Sequence, residues 1–213
     1  MNPTLILVRH GETALNTERR IRGWMDVHIN EDTKAVIART ASRLSLFPLH
    51  NPLVSSDLIR AKETAEIIAD DNFLEIELDE RWRPWDVGFM TGMKLEEVIP
   101  AMNRYIDNPR EEVPGGESFN KFFLRVKDAF REEVAAVVAQ PEEVRVVVTH
   151  SRNIEAVRYF VTGDKKTLVQ ANSVAPGCAT SWQIISGKLV EILVGDPASH
   201  EEKRDVEPAN PES

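Results

Sequence analysis

Two mainly apolar stretches stand out in the hydrophobic pattern of the chain, and each is closely followed by a histidine. The first runs without interruption from Leu5 to Val8 and is followed by Arg9 and His10. The second, residues 144–149, is valine at four of its six positions and is followed by His150. Stretches of this kind are typical of strands buried on both faces of a parallel sheet. We therefore predict two buried strands, each with a histidine at its carboxyl end.

Helical and strand patterns alternate along the rest of the chain, which is typical of an α/β fold. A helix is predicted from about residue 30 to residue 46, and a second helix is predicted to begin at Ser56 or Asp57 as its N-cap. Apolar residues recur at helical spacing over residues 119–137, and residues 178–194 read as two antiparallel strands. The fold class predicted is α/β, with three α/β/α layers and a mostly parallel central sheet.

Length and composition indicate one large domain. A chain of 213 residues can bury a core that needs no disulfide or metal. The single cysteine, Cys178, excludes an intramolecular disulfide and agrees with a reducing compartment. We assign residues 1–195 to the α/β domain. Residues 196–213 are polar and contain three prolines, so we predict a flexible tail.

Charge narrows the range of partners. A net charge of −9 argues against general binding to nucleic acid or to an anionic membrane, although a few arginines can still form a local site for a small anion. The N-terminus has no basic segment and its apolar run is short, so we expect no signal peptide and no membrane span. The prediction is a cytoplasmic protein. Its oligomeric state is left open, a homodimer being among the options.

Three segments together resemble one known family. Arg9-His10-Gly11-Glu12 resembles the Arg-His-Gly-Glu/Gln signature of the histidine phosphatase superfamily, which includes the cofactor-dependent phosphoglycerate mutases and many phosphatases. Residues 55–65 resemble the family's Ser-Ser-x-x-x-Arg-Ala-x-x-Thr-Ala segment. His150 resembles the second family histidine, although Ser151 stands where glycine is usual. The resemblance spans Leu5 to about residue 194 and implies a phosphoglycerate mutase-like fold.

The resemblance assigns chemical roles to the strand-end residues. Phosphoryl transfer needs an in-line nucleophile and neutralisation of charge on the phosphoryl oxygens. His10 is the predicted nucleophile, because neighbouring arginines favour the neutral imidazole that attacks phosphorus. Arg9, Arg60 and a protonated His150 are predicted to hold the phosphoryl oxygens. The sequence has no Walker-type loop and no His/Cys cluster with metal-ligand spacing, so we expect no metal and no cofactor.

Further substrate contacts are implied by the same resemblance. Asn16 and Thr13 follow the first signature, and the loop with Arg20 and Gly23 aligns with a family loop over the pocket. The amide of Ser151 would add a donor at a helix N-terminus. Glu117, in a Pro-Gly-Gly-Glu-Ser segment frequent in the phosphatase branch, is predicted to lie on the substrate side as well.

The chain departs from the family at the proton donor. The family has a glutamate four residues before the glycine that aligns with Gly88, and this chain has Pro84 there. A proline cannot donate a proton. Asp86 is the nearest carboxylate in the loop and is the predicted acid, with Glu80 and Glu117 as the alternatives.

The predicted function is a metal-independent phosphomonoester hydrolase that works on a small phosphorylated substrate through a phosphohistidine intermediate. A phosphoglycerate mutase is the first alternative, although Pro84 replaces the family acid. The second alternative is a phosphate-binding homologue whose catalysis is weakened, which the missing glutamate would permit.

Overall fold

A computed structural model describes residues 2–168 and 174–193; the tail predicted for residues 196–213 lies outside them. The strands of this part of the chain are β1 (Thr4–Arg9), β2 (Leu53–Ser55), β3 (Ile76–Leu78), β4 (Val144–Thr149), β5 (Ala179–Ile185) and β6 (Lys188–Leu193). Its α-helices are α1 (Ala14–Thr17), α2 (Lys34–Leu44), α3 (Ile59–Asn72), α4 (Leu95–Asp107), α5 (Phe119–Ala139) and α6 (Ser151–Thr162). None of these helices is both long and apolar enough to cross a bilayer.

The strands form one sheet of six in the order β3-β2-β4-β1-β5-β6. The pairs β1–β4, β2–β4 and β2–β3 are parallel. At the other edge, β5 runs antiparallel to β1 and to β6. The mostly parallel sheet and the terminal antiparallel pair are therefore both confirmed.

Helices cover both faces of the sheet. Leu5 and Leu7 of β1 belong to a core formed with α4, α5 and α6, whereas Ile6 and Val8 belong to a second core formed with α2 and α3. Alternate side chains of a strand point to opposite faces, so burial of the whole run requires a layer on each side. The three-layer α/β/α prediction is confirmed.

The register of β1 and β4 brings the two histidine segments together. Arg9 pairs with Thr149 across the parallel ladder, and the amide of His10 donates to the carbonyl of Thr149 at 2.9 Å. Both strands end at the same edge of the sheet. His10 and His150 are therefore neighbours although they are far apart in sequence.

The predicted N-cap of α3 is wrong, because its side chains have other partners. The helix begins at Ile59. The carboxylate of Asp57 pairs with Arg83, whose Nε lies 2.8 Å from Oδ1. The hydroxyl of Ser56 lies 2.9 Å from Nε2 of His150. These polar groups thus form tertiary contacts at the sheet edge instead of capping the N-terminus of the helix.

Two loops near this edge approach each other backbone to backbone. Gly88 has a φ of +48°, and a Cβ built on it would lie 2.2 Å from the carbonyl oxygen of Pro114 and 2.7 Å from the amide nitrogen of Gly116. No side chain fits in that space, since real Cβ atoms essentially never come closer than 3.0 Å. The contact therefore fixes the loop after β3 against the loop before α5.

We expect Gly88→Ala to lower the free energy of unfolding by about 3 kcal/mol, because it combines a left-handed backbone with steric overlap. Gly187 is the matched control: its φ is +73°, but no atom lies within 4 Å of the Cβ position. Gly187→Ala should cost about 1 kcal/mol. Urea unfolding of both variants measures the difference, and equal losses would contradict the close packing.

Candidate active site

A cavity of about 460 Å³ opens at the carboxyl edge of the parallel strands. The charged and imidazole side chains that line it, among the described residues, are His10, Arg19, Arg20, Arg22, Arg60, His150, Arg152 and Glu155. Five arginines thus face a single glutamate in this lining. The lining is strongly positive within a chain whose net charge is −9, which favours an anionic ligand.

His10 and His150 meet at the inner end of this cavity. Their ring centroids are 5.1 Å apart, with an angle of 58° between the ring planes. Both residues are buried, at 1% and 3% exposure. The structure brings together the two imidazoles on which the sequence argument depended.

The tautomer of neutral His10 is set by its own backbone. Nδ1 lies 2.6 Å from the carbonyl oxygen of Gly11, and a carbonyl can only accept, so Nδ1 carries the proton. The amide of Gly11 donates to the hydroxyl of Thr64 at 2.9 Å, and that hydroxyl donates to the carbonyl of Arg60 at 2.7 Å. These bonds fix the His10 loop to α3 and leave Nε2 with a lone pair.

The charge state of His10 suits a nucleophile. Burial lowers its pKa well below 6.5, and the positive charges of Arg60 and Arg22 lower it further. The imidazole is therefore neutral at neutral pH, as the sequence argument required.

Two arginines of the lining are buried cations. Burial lowers the pKa of Arg60 to about 9 and that of Arg22 to about 10, and the charge of Asp26 partly opposes the shift at Arg60. Arg60 donates to the carbonyls of Met25 at 2.8 Å and Gly23 at 2.9 Å, which fixes its guanidinium, and its buried Nε has no hydrogen-bond partner. Within the described residues neither arginine forms a salt bridge. An anion in the cavity would supply the missing charge and the missing acceptor.

His150 differs from its predicted charge state. Burial and the charges of Arg60 and Arg22 lower its pKa well below 6.5, so the free protein holds it neutral and not protonated. Its Nε2 contacts the hydroxyl of Ser56, and its buried Nδ1 has no hydrogen-bond partner. The arginines that keep His10 neutral therefore act on His150 as well, and a bound anion would be needed to give the predicted imidazolium.

Arg9 is not among the residues that line the cavity, whereas Arg22 is. The Arg9 guanidinium donates to the carbonyl of Val174 at 2.7 Å, and burial lowers its pKa, while the charge of Glu155 opposes that shift. Its charge acts on His10. That Arg9 holds phosphoryl oxygens stays a prediction.

The loop residues predicted to bind substrate divide into two groups. Asn16, Arg20, Gly23 and Ser151 line the cavity. Thr13 does not: it is fully buried, and its hydroxyl donates to Oδ1 of Asn16 at 3.0 Å. Thr13 therefore positions the Asn16 amide and does not face the cavity itself.

The predicted acid is not brought to the cavity. The carboxylate of Asp86 accepts from the amide of Gly88 at 3.1 Å, which is a turn contact. Glu117, the alternative and also a predicted substrate contact, accepts from the amide of Asp86 at 3.1 Å and from Arg125 at 2.5 Å. Neither carboxylate lines the cavity. The geometry gives both a structural role in the loop contact described above.

The rest of the loop after β3 offers no carboxylate to the cavity either. Glu80 is the other alternative, and its side chain is 76% exposed beside Arg83. Pro84 does line the cavity, where its carbonyl accepts from Trp24 Nε1 at 2.8 Å and from Arg125 at 3.2 Å. Pro84 thus occupies the position of the missing family glutamate, and the hydrogen bonds to its carbonyl hold this backbone in place.

Sequence reasoning gave no role to four charged residues of the lining, which are Arg19, Arg22, Arg152 and Glu155. Arg152 and Glu155 both lie on α6, one turn or less after Ser151. Ser151 and Glu155 are four residues apart on a helix, and this spacing could have placed Glu155 on the same face as Ser151. The described residues contain no cluster of three or more His, Cys, Asp or Glu side chains suited to a metal.

Part of the cavity lining is apolar. It is formed by Leu15, Ile21, Trp85, Val87, Leu95 and Met102. The lining therefore combines cationic side chains with apolar ones that suit a carbon skeleton.

The comparison with protein families agrees with this geometry. Residues 5–196 match the sequence model of the histidine phosphatase superfamily (branch 1). The chain belongs to the histidine phosphatase superfamily. The resemblance identified at the three motif segments is therefore confirmed. Members of this superfamily are phosphatases or mutases.

Curated relatives match part of the chain. Phosphoglycerate mutase-like protein 4 of Arabidopsis thaliana is 37% identical over 134 residues, which is 60% of this chain and 58% of that protein. The probable phosphoglycerate mutase GpmB of Salmonella paratyphi C is 34% identical over 151 residues, 68% of this chain and 67% of that protein. The match to the Arabidopsis protein thus spans less than two thirds of its length.

Solved structures share the fold. Phosphoglycerate mutase from Bacillus anthracis superposes with a TM-score of 0.77 at 21% identity, covering 95% of this chain and 96% of that chain. Mycobacterial glucosyl-3-phosphoglycerate phosphatase, in a complex with VO3, gives a TM-score of 0.73 at 23% identity, covering 89% and 97%. The phosphoglycerate mutase-like fold is confirmed.

The lowered pKa of the buried histidines predicts how stability changes with pH. The unfolded chain binds protons at these imidazoles below pH 6.5 and the folded chain does not, so the free energy of unfolding should fall as the pH drops from 6.5 to 5. His150→Asn should flatten this fall by up to about 1.4 kcal/mol per pH unit. Urea unfolding in phosphate-free buffer measures it.

His28 is the control for this experiment. Its hydrogen bond with Glu63 raises its pKa, so the folded form gains from its protonation. His28→Asn should leave the fall at low pH as steep as before or steeper. A slope that His150→Asn leaves unchanged would contradict the buried, neutral imidazole.

Proposed function

We propose that the chain is a phosphomonoester hydrolase that forms a phosphohistidine at His10. The observation that carries the proposal is the pair of buried imidazoles, 5.1 Å between centroids, beside two buried arginines that form no salt bridge with any described residue. A phosphoryl group supplies the negative charge that this site lacks. It also gives the unpaired Nε of Arg60 an acceptor.

The first step would be in-line attack on phosphorus by Nε2 of His10. Its lone pair is available because Nδ1 donates to the carbonyl of Gly11. Arg60 and Arg22 would neutralise the phosphoryl oxygens, and the amide of Ser151 at the start of α6 would add a donor. His150 would take up a proton as the dianion binds and become a further donor. Water then cleaves the phosphohistidine and restores His10.

The substrate class follows from the two parts of the cavity. The whole cavity, of about 460 Å³, has room for one phosphoryl group beside the buried histidines and for a small organic portion. Because part of its lining is apolar, a phosphomonoester with an apolar portion would bury surface against it. We propose a small phosphorylated metabolite of this kind as the substrate.

A phosphoglycerate mutase is the second candidate. It is favoured by the names of the curated relatives, two of which are described as phosphoglycerate mutase-like or as a probable phosphoglycerate mutase. A mutase must return the phosphoryl group to a sugar-acid hydroxyl instead of to water. Interconversion of phosphoglycerates that depends on a bisphosphate primer, at a rate above phosphate release, would favour it.

We expect His10→Ala to lower phosphate release from phosphomonoesters by at least about 10³-fold and to abolish acid-labile phosphoprotein, because no other group can form the intermediate. Rapid quench with a ³²P-labelled ester measures both. His28→Ala, at a side chain that is 75% exposed, is the matched control and should keep full activity.

Two outcomes would count against the proposal. Turnover retained by His10→Ala would contradict the nucleophile. Binding of vanadate by the wild-type protein without turnover of any ester in a broad panel would instead favour a phosphate-binding homologue with weakened catalysis.

A further inference from the structure

We propose that Glu155, acting through the hydroxyl of Ser151, supplies the proton for the leaving group and later accepts the proton of the attacking water. This inference rests on the hydrolase proposed above. It concerns the step that the family glutamate would perform and that Pro84 cannot. Glu155 would be a positioning residue and proton reservoir, and Ser151 would be the group that touches the leaving oxygen.

The position of Glu155 is the first argument. Glu155 lies on α6, and its side chain is 1% exposed. Among the described residues that line the cavity, it is the one with a carboxylate. The hydroxyl of Ser151 donates to its Oε1 at 3.4 Å. Ser151 directly follows His150 and also lines the cavity. The hydroxyl of Ser151 therefore links a buried carboxyl group to the lining of the cavity.

The carboxylates of Asp86 and Glu117 are held away from the cavity lining. Asp86 accepts from the amide of Gly88, and Glu117 accepts from Arg125 and from the amide of Asp86. Both bonds belong to the contact between the loop after β3 and the loop before α5. Moving either carboxylate to the cavity would break that contact, whereas Glu155 is already there.

The third argument comes from two departures that the chain makes together. Pro84 removes the acid expected on one side of the site, and Ser151 adds a hydroxyl where the family usually has glycine. The hydroxyl added is the one that is hydrogen-bonded to Glu155. The two changes thus transfer the proton donor from the β3 side of the cavity to α6.

The charged groups around Glu155 permit both halves of the cycle. Nη1 of Arg152 lies 2.9 Å from Oε2, and the charge of Glu155 also acts on Arg9. These cations favour the carboxylate, which is the form needed to accept a proton from water. A phosphate dianion in the cavity is a like charge beside the carboxylate and competes for the cations, so its arrival favours proton uptake by Glu155.

The proton balance closes over two steps. In the first, Nε2 of His10 bonds to phosphorus, the ester P–O bond breaks, and the leaving oxygen takes the Ser151 proton while protonated Glu155 restores the hydroxyl. The products are a free alcohol, phosphorylated His10 and the Glu155 carboxylate. In the second, water attacks phosphorus, its proton passes through Ser151 to Glu155, and the P–N bond breaks to release inorganic phosphate and neutral His10.

The test compares two leaving groups on the wild type and on Glu155→Gln. For an unactivated alkyl phosphate we expect kcat/KM to fall by about 10²-fold or more, because its alkoxide needs a proton. For p-nitrophenyl phosphate, whose leaving group needs none, kcat/KM should fall less than about 10-fold. The variant should also give a burst of nitrophenol with acid-labile phosphoprotein accumulating, because hydrolysis of the intermediate has lost its base.

Ser151→Ala is the second variant and keeps the test decisive if Glu155→Gln does not fold. It should give the same unequal loss between the two esters, since it cuts the path at its other end. Glu133→Gln is the matched control: Glu133 is buried at 6% exposure and pairs with Arg145 at 2.6 Å, away from the cavity lining. It should change both rates equally or not at all.

The two esters distinguish a failure of the proposed relay from a failure of the proposed function. If the wild type hydrolyses both esters and Glu155→Gln or Ser151→Ala loses the same factor on both without a burst, the relay is overturned and the hydrolase stands. If the wild type hydrolyses neither ester, the proposed function is overturned and the relay with it.

Discussion

Buried positive charge that forms no salt bridge within the described part of the chain is the constraint on which the rest of the site depends. Arg60 and Arg22 lie beside two buried imidazoles, and the cost of this burial lowers the pKa of all four groups. Main-chain carbonyls hold Arg60 in place but bring no full negative charge. The burial of these groups therefore costs stability, which the phosphoryl group of the proposed substrate would offset, and it keeps His10 in the neutral form that the proposed attack requires.

The sheet makes this arrangement possible. The β1–β4 pairing ends both strands at one edge, and cores on both faces hold that edge rigid. The apolar runs and the strand-end histidines could be read from sequence, because strand periodicity and parallel topology leave few places for them. Arg60 could be placed for the same reason, since it lies in the first turn of the helix after β2.

What could not be read from sequence depends on side-chain direction in loops. Asp86 was predicted as the acid because it is close in sequence to the missing glutamate. In the structure Gly88 packs closely against the loop before α5, and the Asp86 carboxylate accepts a hydrogen bond from the Gly88 amide. The charge of His150 depends on arginines from separate segments, which no local pattern reveals. Glu155 lies on α6, four residues after Ser151, and that spacing gained a meaning only when the cavity was seen.

The most direct test of the central claim is a crystal structure of the protein soaked with vanadate. The account predicts vanadium bonded to Nε2 of His10, with its oxygens in contact with Arg60, Arg22 and His150. Vanadate bound elsewhere, or imidazole rings of His10 and His150 that lie apart with no anion between them, would contradict it.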